Sequence, residues 1–170
     1  MLHRFRIRMV TTRGLLALAT SLVLGLPMAQ GQVHQWQWSR AIVSNGPERF
    51  REVAIDPSDG SVYTAGEVQN SFLTILGTIN LVNQNQALLT KYSDTGTHLW
   101  TAVIGGSSEE TGEDVALGPD GKVYITGTFK GTCHFYNAGG NTTAGILNAA
   151  GNTDIYLAAY SANGMFLWAQ

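Results

Sequence analysis

At 170 residues, 44% hydrophobic and 13% charged, the chain has the composition of a globular protein and not of a disordered one. Its formal charge is −2, but four of its ten basic residues, Arg4, Arg6, Arg8 and Arg13, crowd the N-terminus without an acid among them. Beyond them six Lys and Arg stand against all twelve acids, a net of −6 that argues against a nucleic-acid partner.

The first predicted element is a leader. The basic stretch MLHRFRIRMVTTRG is followed by the apolar run LLALATSLVLGL, which Pro27 closes. That run falls short of the ~20 apolar residues that cross a bilayer. The pattern predicts a secretory signal peptide over 1–31, with the small residues Ala29 and Gly31 at the −3 and −1 positions and cleavage before Gln32. The remaining 139 residues then have an exported address, secreted or at the cell surface, and no membrane span. Separated arginines exclude a twin-Arg signal, and the lack of a Cys after the run excludes a lipid-anchored lipoprotein. Cys133 is the only cysteine, so core packing and hydrogen bonds must hold the fold without a disulfide. In the alternating stretch TFKGTCHFY it reads as a small buried hydrophobe.

Next, QWQWSRAIV predicts an outer strand over 34–43. The segments REVAI, SVYTAGEV, ALLTKYS and THLWTAVI are short and rich in β-branched and aromatic residues. They are separated by DPSDG, a variable insert and SDTG, and predict a four-stranded blade over 47–104. Asp59-Gly60, Asp120-Gly121 and Asn163-Gly164 supply the positive φ that tight hairpin turns demand.

A second unit over 109–170 repeats the first. VAIDPSDGSVYTAG aligns with VALGPDGKVYITG, and Leu88, Leu89, Tyr92, Gly96, Leu99 and Trp100 recur as Tyr156, Leu157, Tyr160, Gly164, Leu167 and Trp168. The length difference falls in the insert, read as a connecting loop. No 3.6-residue period appears beyond the leader, so the expected class is all-β. Tandem four-stranded antiparallel meanders are the form of β-propeller blades, and each must stack on neighbours to cover its two apolar faces. Trp38 occupies the position of Trp100 and Trp168, so the chain reads as an outer strand, a whole blade and a blade truncated in its outer strand at Gln170. Since propellers have about four to eight blades, further blades of the same polypeptide are expected partners.

The frame EDVALGPDGKVYITGTFKGTCHF…AGNTDIYLAAYSANGMFLWAQ resembles the seven-bladed β-propeller (SBBP) repeat family of exported bacterial proteins. The resemblance is carried by D-G-x-V-Y-x-T-G, G-T-F-x-G-T, D-I-Y-x-A-x-Y and G-x-x-x-W-A, and covers nearly all of Gln35 to Gln170. The first unit departs from it, with GEVQNSFLTIL in place of G-T-F-x-G-T and Gln86 in place of Asp154. The resemblance implies secretion and no shared catalytic activity.

No segment carries catalytic, metal-binding or cofactor-binding chemistry in its pattern. Asp56 and Asp59 lack EF-hand spacing and read as turn residues. Glu109, Glu110, Glu113 and Asp114 in SSEETGED invite comparison with a glycosidase carboxylate pair, but read as a solvated connection between blades. His34, His98 and His134 show no metal-ligand spacing. Trp36, Trp38, Trp100 and Trp168 could form a sugar-stacking platform, yet the recurrence of Trp100 and Trp168 at one repeat position favours packing between blades. Gly66, Gly127, Tyr63 and Tyr124 belong to the same structural frame. The expected ligand contacts are Tyr136, Asn141 and Thr143 in the second insert, where an aromatic face beside amide and hydroxyl groups suits a surface glycan or a protein. Three functions fit: a non-catalytic binding or scaffold module, the propeller part of a polysaccharide-active hydrolase or lyase, and a structural spacer.

Overall fold

The computed structural model describes residues 37–44, 46–69, 72–74, 77–79 and 85–170. The expected leader over 1–31, its expected cleavage site, His34 and Trp36 lie outside them. The described residues are all-β, with every ladder antiparallel and no helix among them. In chain order the strands are β1 (Val43–Ser44), β2 (Glu48–Ile55), β3 (Val62–Gln69), β4 (Phe72–Thr74), β5 (Gly77–Ile79), β6 (Asn85–Tyr92) and β7 (His98–Gly106). The second unit supplies β8 (Asp114–Leu117), β9 (Val123–Phe129), β10 (Thr132–Tyr136), β11 (Thr143–Asn148), β12 (Asp154–Tyr160) and β13 (Phe166–Ala169).

Two four-stranded meanders of the blade type result, β2-β3-β6-β7 and β8-β9-β12-β13. Local chemistry sets their turns. Gly60, Gly96, Gly121 and Gly164 all have φ between 72° and 77°, a region that costs a side-chain-bearing residue strain. Asp56 Oδ1 accepts from Ser58 N and Asp59 Oδ1 from Ser61 N, so both carboxylates are tied into the first turn. Residues 37–42, expected in an outer strand over 34–43, carry no strand ladder; only Val43–Ser44 pair, and they pair with β4.

The insert is a hairpin and not the open loop that its Gly, Asn and Thr content predicts. In the second unit β10 and β11 form that hairpin, and β10 pairs with β7 of the preceding blade at Cys133↔Gly106, His134↔Gly105 and Phe135↔Ile104. The result is a six-stranded sheet ordered β11-β10-β7-β6-β3-β2. The first unit does the same with β4 and β5, where Ser44↔Phe72 and Val43↔Leu73 match the second unit's register position for position. An outer strand left as an edge would present unpaired N–H and C=O groups, and the following unit's hairpin satisfies them.

The main core lies between the blades. Tyr63, Ala65, Ala87, Leu89, Ala102 and Ile104 of the first blade meet Val115, Val123, Ile125, Phe129, Tyr156, Ala158 and Tyr160 of the second, with Cys133 and Phe135 added by the hairpin. Alanines on the first face leave room for the aromatic set on the second, the large-against-small complementarity that dense packing requires. β3 and β6 are accordingly buried on both faces, whereas β2 is largely exposed.

Candidate functional site

Four places in the molecule concentrate side-chain chemistry. The first is the junction between blades. Trp38 Nε1 donates to Asp94 O at 2.8 Å, and Trp100 Nε1 donates to Ala162 O at 3.1 Å. Each indole lies over a turn glycine of the following blade, so that a Cβ at Gly96 would overlap Trp38 and one at Gly164 would crowd Trp100. Those glycines are therefore needed for close approach as well as for φ. Tyr63 meets Trp100 edge-on at 6.0 Å, and Tyr124 meets Trp168 at 6.2 Å, the same pair in successive units. Gly66 and Gly127 leave space for the carbonyls of Arg49 and Thr111, which a Cβ would strike.

The second place is one the acidic run SSEETGED concealed. Glu110 is completely buried, its Oε2 accepting from Gly106 N at 2.9 Å while Oε1 has no partner. Burial pushes its carboxyl up to about 7, with the Glu109 charge adding to the rise and the Gly106 N–H opposing it. Cys133 and Tyr156 are buried in the same core, and burial drives both groups up as well. The expectation of a solvated connection thus holds for the exposed Glu109 and fails for Glu110, because β10 and Asn85 O close over the crossover. A signal was present in the sequence: Glu48 is the counterpart of Glu110, and its Oε1 accepts from Ser44 N at 2.5 Å. Glu48 keeps solvent, so those Ser44 hydrogen bonds hold its carboxyl below the usual range. In both units this glutamate caps the last N–H of the preceding outer strand where the chain crosses to the next blade.

The third place is the end of the β10–β11 hairpin. Tyr136 and Thr143 are register partners, Thr143 Oγ1 lies 3.3 Å from His134 Nδ1, and the His134 and Tyr136 rings are 6.3 Å apart. Asn141 lies exposed in the connecting turn. Tyr136 is half-buried and packs on the small cluster of Val68, Leu88 and Val103, so part of its ring is committed to structure. The fourth place is a cleft of about 280 Å³ against the first blade, lined in part by Arg40, Ile42, Arg49, Phe50, Gly66 and Leu88. On the same flank Arg51 holds Glu67 through a bidentate pair and reaches Glu113 of the next unit at 3.1 Å. Among the described residues no group of three or more His, Cys, Asp or Glu could hold a metal ion.

The fold and repeat geometry agree with what sequence comparison finds. No family model matches the chain. It is similar to an uncharacterized WD repeat-containing protein of Acanthamoeba polyphaga mimivirus, 28% identical over an alignment of 144 residues that covers 77% of this chain. The alignment spans 10% of that protein's length. The likeness is consistent with propeller blades, although no Trp in this chain is followed by Asp. The two blades described here do not close into a ring.

Proposed function

We propose that the chain is a module of a larger, exported propeller-type repeat protein of the SBBP kind, acting as a scaffold and not as a catalyst. One observation carries this reading. The outward face of the second blade carries Tyr124, Ile155, Leu157 and Trp168 at the positions of Tyr63, Ala87, Leu89 and Trp100 on the face that the first blade turns toward the second. Ala87 and Leu89 are 0% exposed beneath the second blade, while their counterparts Ile155 and Leu157 are 78% and 38% exposed. Trp100 has its acceptor in the next blade's turn, whereas its counterpart Trp168 is 38% exposed. An apolar surface matched in this way to a buried one favours a further blade as its partner. On the opposite side Val53 is 54% exposed, against 5% for its counterpart Val115, which packs on the first blade.

Two measurements test the reading. Light scattering on the purified chain is expected to show self-association, which the double substitution Ile155→Lys, Leu157→Glu reduces by charging the exposed face. A monodisperse wild-type monomer with cooperative unfolding would overturn the requirement for a further blade. Export is tested separately in a bacterial host, where the secreted protein is expected to begin at Gln32. Retention of the leader would remove the exported address, and a start elsewhere would overturn the assigned cleavage after Gly31.

A further inference from the structure

Glu110 is buried at the crossover between the blades with half of its carboxyl unanswered. Its Oε2 takes the Gly106 N–H, Gln86 Nε2 donates to Gly106 O at 3.2 Å, and Oε1 finds no partner among the described residues. The cations on adjoining segments are spent elsewhere, Lys130 on Glu109 at 2.6 Å and Arg51 on Glu67 and Glu113. Of the other titratable groups around it, Glu109 adds a like charge, while Cys133 and Tyr156 are buried and held neutral by that burial. A carboxylate here is a buried charge facing a single N–H, which costs far more than the neutral acid.

The same surroundings show the shortest way for that charge to reach water. Ser107 and Glu109, just before Glu110, are exposed, and so is Gly131 at the start of β10. Glu110 itself is tied down by its N–H to Asn85 O at 2.9 Å and by an isolated bridge to Phe129. β10 joins β7 through only three register pairs, and the first of them, Cys133↔Gly106, lies against the glutamate's hydrogen-bond partner. Gly131, at φ 63°, supplies a hinge beside it. The β3–β6 ladder in the middle of the sheet has eight pairs. A short seam flanked by exposed connections opens at far lower cost than such a ladder.

We propose that Glu110 is a pH-operated latch. As a neutral acid it closes the crossover over Cys133 and the start of β10, and on losing its proton it admits water there while both blades stay folded. The inference stands apart from the scaffold reading, since it concerns the contact between the two blades described.

Cys133 is the only cysteine, so labelling of the full chain with iodoacetamide reports this opening alone. The thiolate fraction of an opened Cys133 rises about tenfold per pH unit. Opening itself is favoured by proton loss between 4.5 and 7, the unfolded and folded values of Glu110. From about pH 5.5 to about pH 6.5 the labelling rate of wild type is therefore expected to rise about seventyfold, and that of Glu110→Gln about tenfold. His134, on the opposite face of β10, is present in both proteins and cancels from the comparison. Sub-denaturing urea should leave the wild-type rate unchanged, because a local opening exposes little surface. If Glu110→Gln does not fold cooperatively, Glu110→Met, uncharged and of similar length, takes its place. An equal rise in wild type and a folded variant would overturn the latch. A steep wild-type rise that grows with urea would also overturn it, since the proton would then leave through global unfolding.

Discussion

Truncating Phe135 to alanine is expected to lower the unfolding free energy by about 3–5 kcal/mol, the range for removing a fully buried aromatic ring. Phe135 is 0% exposed and lies at the point where both blades and the hairpin meet. Its ring stands edge-on to Tyr156 at 5.5 Å and stacks on Phe166 at 5.3 Å. Its backbone pairs with Ile104 of the first blade on one side and Gly145 of the hairpin on the other. The matching substitution Ile146→Ala, on the outer strand of the same hairpin, is expected to change stability by less than about 0.5 kcal/mol, because Ile146 is 55% exposed. Urea melts of the two variants decide the matter. Equal losses would mean that the hairpin does not staple the blades.

The second large effect is one of pH. Glu110 titrates near 4.5 when unfolded and is pushed up to about 7 by burial in the folded chain. Between those values the native state holds a proton that the unfolded state has released. The stabilisation is therefore fully present below pH 4.5, declines as pH rises through 7, and is absent above it. The gap corresponds to about 3 kcal/mol. His98, whose imidazole is held below its ordinary value by burial, works in the opposite sense, favouring the fold as pH rises through 6.5. The Gly106 N–H and the Glu109 charge are the other groups that act on the Glu110 carboxyl, whose own charge adds to the rise of the buried Cys133 thiol and Tyr156 phenol. Because these neighbours are common to both proteins, the difference between wild type and Glu110→Gln isolates the carboxyl. Wild type should lose about 3 kcal/mol between pH 4.5 and 8 relative to the variant. Parallel profiles would show that Glu110 ionises in contact with water.

Much of the blade architecture is legible without coordinates, for a local reason. Hairpin turns depend on the φ freedom of Gly60, Gly96, Gly121 and Gly164, and strands on side chains that alternate or are apolar throughout. Both are written in short stretches of chain, and their recurrence in two units multiplies the signal. The repeated Trp and Tyr positions are legible for the same reason, since a residue that packs between blades must recur wherever blades stack.

The hairpin's destination was not legible. Strand pairing between β10 and β7 is made by backbone groups that every residue carries, so GTCHFY contains nothing that distinguishes an exposed loop from a strand added to the preceding sheet. The fate of Glu110 was marked only by the recurrence of Glu48 one unit earlier, since four acids in eight residues read as one solvated run until the crossover buries one of them.

The sequence alone thus determined the all-β class, the repeat, its turns and the residues common to both blades, because these follow from chain-local conformational preference and periodic burial. Only the tertiary structure decided which strand the insert joins and which acid leaves solvent. Those outcomes rest on hydrogen bonds and packing between segments far apart in the chain, whose energies depend on what each group meets and not on what precedes it.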